Sequence, residues 1–309
     1  MVQKIVIIGA AVLDIIAAPV DQTVFETGSY PAEEIRMSPG GDALNEATVL
    51  AALGKAVRLE FVLGADMEGR MIQEHCRKHG IEWNENAVRA DLHTAVNVVL
   101  VREDGERSFL TSRKGSLRKL RLSDIHIPFP KDAGILCFAS IFVFPHIANA
   151  ELVQIFRTAK EQGMLICADM TKRKNNEQVE DIAEALSYVD YLMPNEEEAF
   201  LLTGVQETEK AAEILFAAGV KNVVLKCGAR GCYLYNAEIR KYIPAVSGVD
   251  CIDTTGAGDS FAAGFVYGIS EGWELEKCAE FANTCGARAV GRVGAVNWVE
   301  HYFPQYQNV

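Results

Sequence analysis

Apolar runs of strand length alternate with amphipathic stretches along most of this chain. The runs are KIVIIGA, RLEFVLGA, ILCFASIFVF, MLICADM, DYLMPN and NVVLKCG. Between them, ELVQIFRTAKEQG and TEKAAEILFAAG have helical spacing, and each ends in Gly as helices often do. Strands without polar alternation are expected where both faces of a sheet are covered. The pattern therefore predicts an α/β fold: a doubly wound, mostly parallel sheet flanked by helices.

Two segments interrupt this alternation. Residues 11–38 contain no convincing helix, and residues 93–113 form two extended runs around the turn Glu103-Asp104-Gly105. We expect these segments to build a small antiparallel β lid. A second hairpin is predicted over residues 232–244. The rest of the chain, which is residues 1–10, 39–92 and 114–309, is expected to form an α/β core that binds nucleotide and substrate.

Charge and composition exclude several classes of function. The 309 residues carry a net charge of −12, from 42 acidic and 30 basic side chains, so nucleic acid is not expected as the main partner. The N-terminal apolar run is interrupted by Asp14 and Pro19, too early for a membrane span of ~20 residues. No membrane segment is therefore expected. Eight cysteines without a Cys-x-x-Cys pair predict reduced thiols in a cytoplasmic protein.

The strongest local chemical signal is the segment DTTGAGDSF at residues 253–261. Its small residues, Gly256, Ala257 and Gly258, allow a ligand to approach the backbone closely. A helical run follows, and the unpaired N–H groups at a helix start suit a phosphate. Asp259, in the first turn, could take a proton from an attacking hydroxyl. The alternative is a capped helix that Asp259 merely stabilises.

This segment resembles the C-terminal signature of the ribokinase-like (PfkB) carbohydrate kinases. The segment GGDALN at residues 40–45 resembles the N-terminal signature of the same family. With Asp14 after the first strand, the two signatures span nearly the whole chain. The resemblance implies a ribokinase-like fold and transfer of the γ-phosphate of ATP to a sugar hydroxyl.

The resemblance also implies roles for individual residues. Asp259 resembles the catalytic base, and Gly256, Ala257 and Gly258 resemble the anion hole for the transferring phosphoryl group. The positions that match sugar contacts are Asp14, Gly40, Gly41 and Asn45. For Asp14 alone, a turn residue at a strand end is the alternative.

A third matching motif is Asn195-x-x-Glu198, which follows the run DYLM. In the family this pair organises Mg²⁺, partly through water, and the phosphates; few protein ligands suit this ion. The same residues could form a capping box at a helix start. The two roles are compatible.

Further positions match the nucleotide side. The loop KCGARG at residues 226–231 resembles the family's Thr-x-Gly-x-x-Gly, with Gly228 and Gly231 in place but Lys226 where Thr is usual. Asn283 matches the adenine pocket, although alone it would be read as a surface helix residue. A K⁺ site is also implied. Its positions are Asp253 and Thr255 with backbone oxygens near Ala289, Arg292 and Gly294.

Two arginines remain open from the sequence. The segment DMTKR at residues 169–173 resembles Asp-x-Asn-x-Arg of several sugar and keto-sugar-acid kinases, with Thr171 as a departure. Arg173 could bind a substrate carboxylate, the phosphates or only solvent. Arg107 could reach the substrate from the lid, or lie in solvent.

The sequence thus predicts an ATP-dependent kinase acting on a monosaccharide, keto-sugar or sugar acid. The alternative is a nucleoside or other small-molecule alcohol kinase of the same fold. A sugar-binding protein without catalysis is disfavoured because the base and the anion loop are both intact. We also expect a homodimer formed through residues 11–38 and 93–113, because the family often pairs such lids.

Overall fold

A nine-stranded sheet separates two layers of helices in the computed structural model, which describes residues 3–103 and 106–302. The strands of the protein are, in chain order, β1 (Lys4–Ile8), β2 (Val12–Ala18), β3 (Glu34–Gly40), β4 (Val57–Glu60), β5 (Leu63–Gly64), β6 (Glu82–Trp83), β7 (Val88–Arg89), β8 (Val96–Val101), β9 (Arg107–Thr111), β10 (Ala133–Ile141), β11 (Leu165–Met170), β12 (Tyr191–Leu192), β13 (Asn222–Lys226), β14 (Cys232–Tyr235) and β15 (Arg240–Ile243). The helices are α1 (Asp42–Ala52), α2 (Met67–Lys78), α3 (Asn149–Glu161), α4 (Val179–Leu186), α5 (Glu196–Thr203), α6 (Thr208–Ala217), α7 (Ala257–Ser270), α8 (Leu275–Val290) and α9 (Asn297–Tyr302).

The large sheet has the order β15-β14-β13-β12-β11-β10-β1-β4-β6. It is parallel from β6 to β13, and β13, β14 and β15 pair antiparallel. Each of the predicted apolar runs contributes a strand to this sheet, and β14 with β15 forms the hairpin expected over residues 232–244.

Helices cover both faces of the sheet, as the uninterrupted apolar strands require. One buried core includes side chains of α1, α2, α7 and α8, and the other includes those of α3, α4, α5 and α6. The doubly wound α/β prediction is therefore confirmed.

Close packing of α7 on α8 fixes the start of α7, which matters for the site below. A Cβ atom added at Gly264 would lie 2.8 Å from the Cys285 sulfur, and one added at Gly268 would lie 2.8 Å from the Cys278 sulfur. Any larger side chain at either glycine would push the helices apart. Small residues therefore hold α7 against the core over several turns.

A separate four-stranded sheet forms the lid, in the order β3-β2-β8-β9. Its outer pairs are antiparallel as predicted, whereas the central pair β2–β8 is parallel. The chain passes through α1 and α2 between β2 and β8, and such a long crossover allows the second strand to run in the same direction. Of the predicted turn, Asp104 and Gly105 lie outside the described residues.

Strand alternation gives the lid two different faces. Asp14, Ser38 and Asn97 are register neighbours and share one face, whereas Ile35 and Met37 lie on the other and are exposed. We call these the inner and outer faces of the lid.

All eight cysteines are free, and seven are buried. Across residues 3–103 and 106–302, none of the helices has both the length and the apolar character needed to span a membrane.

Candidate active site

The candidate site lies where the strand order of the large sheet reverses. From β1 the chain continues to β4 on one side and later returns to β10 on the other, so the carboxyl end of β1 opens into a crevice. Asp42 Oδ1 accepts a hydrogen bond from Ala10 N there at 2.8 Å. Gly41 has φ +100°, and a Cβ atom there would lie 2.6 Å from Ala10 O. The N-terminal signature thus fixes the start of α1 against the end of β1.

The two signatures meet through one hydrogen bond. Asn45 Nδ2, on α1, donates to Asp259 Oδ2, on α7, at 2.7 Å. Asn45 Oδ1 is buried and has no hydrogen-bond partner within the described part of the chain. An unsatisfied buried acceptor is costly, so this oxygen is suited to accept from a ligand.

Asp259 lies in the first turn of α7, as the small-residue motif predicts. The helix starts at Ala257 behind Gly256, whose φ of +70° is left-handed and whose added Cβ atom would lie 2.6 Å from Ala295 Cα. Burial raises the pKa of Asp259 to about 6, and the negative charge of Asp42 adds to the shift, while Asn45 and Lys226 oppose it. A carboxyl group with this pKa is largely ionised at neutral pH and close to the optimum for a general base.

Asp14 lies on the inner face of the lid. Its Oδ1 accepts from Asn97 Nδ2 at 2.9 Å, and Asn97 Oδ1 is a second buried acceptor without a partner in the described segments. A Cβ atom at Gly40 would lie 2.6 Å from Asp14 Oδ2, so Gly40 leaves room for this carboxylate. Burial raises the pKa of Asp14 above its ordinary value.

Arg107 connects the lid to the loop before the small-residue turn at residues 256–258, which we call the anion turn after the role that the resemblance implies for it. Its guanidinium forms an ion pair with Asp253, and both side chains are buried or nearly so. Asp253 also accepts from Thr255 N at 2.9 Å and from Gly294 N at 2.6 Å. Residues 106–107 and 251–255 are among those lining an open cleft of about 520 Å³ between β9 and this loop. Arg107 is thus held at the rim of the site rather than in solvent.

Asn195 and Glu198 form a full capping box at the start of α5. Asn195 Oδ1 accepts from Glu198 N at 2.9 Å, and Glu198 Oε2 accepts from Asn195 N at 2.8 Å. Burial raises the pKa of Glu198, and Lys226 opposes that shift. The predicted capping box is therefore confirmed. The Glu198 carboxyl group also interacts electrostatically with Lys226.

Four carboxyl groups at this edge of the sheet interact electrostatically with one ammonium group, and we call this set the acidic centre: Glu46, Asp169, Glu198, Asp259 and Lys226. Lys226, at the end of β13, forms an ion pair with Asp169, at the end of β11. Its charge also acts on Glu46, Glu198 and Asp259. Burial raises the pKa of Asp169 to about 7 and that of Glu46 well above its ordinary value. The centre has more acidic than basic groups.

The other nucleotide-side positions lie beyond Lys226. Gly231, with φ +95°, approaches the end of β15, and Gly228 has open space around it. Asn283 is buried rather than on the surface, and its Nδ2 donates to the backbone oxygens of Ile243 at 3.2 Å and Pro244 at 3.0 Å. Its amide group thus ties α8 to the end of β15, which Gly231 also approaches.

Arg173 turns back on its own loop. Its Nη1 donates to the Glu177 backbone oxygen at 2.9 Å, so the solvent-only interpretation is incomplete. Of the implied K⁺ ligands, the Ala289 oxygen accepts from Arg292 N at 3.3 Å, and Gly294 uses its N–H on Asp253.

Sequence reasoning missed three residues of this region. Asn97 stands alone as a polar residue in the apolar strand β8, and Glu46 lies in a helix whose residues 43–52 are all buried. A polar residue within an apolar strand or a buried helix can indicate a functional site, so Asn97 and Glu46 could have been identified from the sequence. Arg36 shares the inner face of the lid, and its Nη2 is buried without a hydrogen-bond partner in the residues the structure describes. Only strand pairing shows where Arg36 lies.

Comparisons with known proteins agree with this geometry. A model of the pfkB family of carbohydrate kinases matches residues 2–301. The chain is 28% identical to fructokinase-1 of Oryza sativa subsp. japonica over 273 residues, covering 84% of each protein. It is 29% identical to aminoimidazole riboside kinase of Salmonella typhimurium over 268 residues, covering 84% of this chain and 83% of that protein. The structure of Arabidopsis thaliana ribokinase complexed with ribose and ATP matches over 100% of both chains at 24% identity, with a TM-score of 0.78.

Proposed function

The chain belongs to the pfkB family of carbohydrate kinases, and from this premise we propose that it transfers the γ-phosphate of ATP to a hydroxyl group of a monosaccharide, keto-sugar or sugar acid. The observation that carries the proposal is the hydrogen bond between Asn45 and Asp259, beside the small-residue turn at the start of α7. This hydrogen bond joins Asn45, which we propose as a sugar contact, to the helix start that we propose as the phosphate site. Both lie at the crevice where ligands of such sheets bind.

The residues support a general-base mechanism. The substrate hydroxyl would donate to Asp259, while Asp14 and the unpaired amide oxygens of Asn45 and Asn97 would accept from other hydroxyls. As the hydroxyl oxygen bonds to phosphorus, its proton passes to Asp259 and the bond from phosphorus to the nucleotide oxygen breaks. The backbone N–H groups of Gly256 and Gly258 would donate to the charge that develops on the phosphoryl group, whereas Ala257 N donates to Thr254 O at 3.3 Å in this conformation.

Glu198 is the residue that we propose for magnesium. Within the described residues no cluster of three acidic, His or Cys side chains could hold a metal by itself. Mg²⁺ commonly keeps several waters and binds through one or two carboxylates and substrate phosphates, so a centre rich in carboxyl oxygens fits it. Bound there, the ion would neutralise charge on the phosphates. Asn195 would position Glu198 through the capping box.

The nucleotide would lie against the loop at residues 226–231 and α8. Gly228 leaves open space at that loop, and Asn283 fixes the adjoining strand end as described above. We propose that both contribute to the nucleotide site, with Gly231 required for the close approach of β15. ATP as the donor is supported by the likeness to ribokinase solved with ATP.

The residues present do not fit a K⁺ ion in this conformation. Arg107 already places a positive charge against Asp253, and the Asp253 oxygens accept from two backbone N–H groups. Of the other implied positions, the Ala289 oxygen accepts from Arg292 N, and Thr255 and Gly294 direct their N–H groups to Asp253. We expect equal rates in K⁺ and Na⁺ salts.

The substrate class depends on the inner face of the lid. Arg173 is turned into its own loop. Arg36 forms an ion pair with Glu34 through Nε at 3.5 Å, but its Nη2 is buried without a hydrogen-bond partner in the described residues. An acidic substituent would satisfy that group. A nucleoside remains the second candidate, because a relative is named an aminoimidazole riboside kinase.

We propose that residues 11–38 and 93–113 act as a lid that also forms a homodimer. The outer face exposes Ile35, Met37 and Leu110. Strands β3 and β9 are the edges of this sheet, so each is paired on one side only. A cytoplasmic location remains a prediction. Sedimentation of a fully active monomer at assay concentration would contradict the dimer.

A substrate panel tests the proposed function. Purified protein with Mg²⁺ and ATP would be assayed for ADP release against neutral sugars, sugar acids and nucleosides, and NMR would locate the phosphate on the product. We expect turnover with a sugar or sugar acid. Turnover with nucleosides alone would favour the second candidate, and no transfer to any of the three classes would contradict the proposal.

A further inference from the structure

Lys226 occupies a position from which its side chain reaches the centre of the site. Its backbone N donates to Pro194 O at 2.9 Å, and the residue pairs with Asn195 in an isolated bridge. From the end of β13 the side chain passes over the end of β12 to Asp169, at the end of β11. Lys226 is therefore directed along the crevice and away from the loop at residues 227–231.

The ammonium group lies against the anion turn. A Cβ atom added at Gly258 would lie 3.4 Å from Lys226 Nζ, in ordinary van der Waals contact. Only 14% of the Lys226 side chain is exposed. A phosphoryl group held by the N–H groups of this turn would therefore lie beside a charge that water screens poorly.

The carboxyl groups of the acidic centre interact with the Lys226 ammonium group. Glu46, Asp169, Glu198 and Asp259 all act on Lys226 or are acted on by it. An anionic phosphoryl group that enters among carboxylates is repelled unless a cation lies next to it. A lysine is a compact point charge with three donors, which suits a phosphate oxygen.

We propose that Lys226 is a catalytic residue whose ammonium group contacts the transferring phosphoryl group, and that Asp169 is the positioning residue that holds it. This inference rests on the proposed kinase function. It assigns to the Lys226 side chain a role at the reacting phosphorus, distinct from the nucleotide contact that the resemblance implies for its loop. Lys226 stays protonated throughout, because the substrate proton passes to Asp259.

The rival explanation is that Lys226 only neutralises the buried Asp169. Lys226→Met and the double variant Lys226→Met/Asp169→Asn separate the two. A catalytic Lys226 predicts that Lys226→Met lowers kcat by about 10²–10³-fold, the usual loss for a preorganised group at developing charge. The calorimetric Kd for ADP, which lacks the transferred group, should change less than about threefold. The double variant should recover the thermal midpoint and leave kcat low.

Two further variants complete the experiment. Asp169→Asn should lower kcat without changing the Kd for ADP, since it releases Lys226 and touches no nucleotide. Lys221→Met is the matched control: this exposed lysine just before β13 pairs with Asp190, so kcat should be unchanged.

Several results would overturn the inference. Recovery of both stability and kcat in the double variant would make Lys226 structural, as would a kcat of Lys226→Met within about threefold of the wild type. If Lys226→Met does not fold, the double variant alone decides. Failure of the wild type to transfer phosphate to any acceptor would remove the proposed function and this role together, whereas normal wild-type turnover with an active Lys226→Met removes only this role.

Discussion

Two buried aspartates on adjacent strands of the large sheet, each paired with lysine, show how differently the same residue types can be used. Asp190 lies where β11 and β12 begin, and Asp169 lies where β11 ends. Asp190 is satisfied by Lys160, by Lys221 at 2.8 Å and by Ile166 N at 2.7 Å. Asp169 has one lysine, which it shares with three other carboxyl groups.

The pKa values of Asp190 and Asp169, at the two ends of β11, shift in opposite directions. Burial raises the pKa of Asp190, but the hydrogen bonds from Lys160 and Lys221 outweigh it and bring the pKa below its ordinary value. At Asp169 burial dominates, and the pKa rises to about 7. One end of the sheet is fully compensated and stabilises the fold. The other keeps an excess of acidic groups, which is the condition for binding a cation or protons.

The two ends of the sheet should differ most in their effect on kcat, and we expect the largest loss from Asp259→Asn, at the end with excess acidic groups. Loss of a general base lowers kcat by about 10²–10⁴-fold, while ATP and sugar affinities should stay within a few-fold because the amide preserves the shape. Steady-state kinetics with calorimetric binding measures both. Near-normal turnover in a folded variant would remove Asp259 from this role.

A second prediction concerns stability at the compensated end. Asp190→Asn removes the carboxylate from two lysines and one backbone N–H. Breaking a buried pair costs about 3–5 kcal/mol, and the partial exposure of Lys160 and Lys221 reduces this to about 1–3 kcal/mol. Denaturant unfolding measures the loss.

Asp169→Asn is the matched variant at the other end. Its loss of stability should be smaller than that of Asp190→Asn, because burial already raises the pKa of Asp169 to about 7 and Lys226 keeps Glu198 and Asp259 as neighbours. Activity should show the reverse order, with Asp190→Asn unaffected. A larger loss of stability at Asp169 than at Asp190 would contradict the comparison.

Glu198→Gln should raise the Mg²⁺ concentration for half-maximal rate by about tenfold, the lower end of the range for groups that orient or hold metal. The fold should survive because Gln still serves in a capping box. Rates titrated with Mg²⁺ at saturating ATP and substrate measure the shift. An unchanged titration would leave Glu198 with its capping role alone.

The smallest effect expected is the change in rate between neutral pH and pH 6. Asp259 must be ionised to act as base, so kcat/KM should fall to about half at pH 6, where its pKa of about 6 lies. Asp190 has a lowered pKa in the folded state, so its contribution to stability is present above its unfolded value of about 3.9 and is lost as the pH falls through the folded value. Activity should therefore disappear between about pH 6 and pH 4 while circular dichroism still shows a folded protein. Simultaneous loss of both would contradict the separation.

Local chemistry was well predicted from the sequence. The helix start at residues 256–259 and the two halves of the capping box at residues 195–198 follow from residue types at fixed spacing, because caps and tight turns depend on neighbours along the chain. The hairpins were predictable for the same reason. The parallel pairing of β2 and β8 was not, since direction in a sheet depends on a crossover of many residues.

The sequence by itself determined the layered α/β architecture, through apolar strands that must be covered on both faces. It also determined the small-residue turn at Gly256 and the acid in the first turn of the helix that follows. Only the tertiary structure decided which charges meet. Lys226 reaches Asp169 across β12, Arg107 reaches Asp253 from the lid, and Asn97 reaches Asp14 across paired strands. The physical reason is that hydrophobic periodicity reports burial along one element, whereas a contact between side chains depends on strand order and register, which residues far apart in the sequence set together.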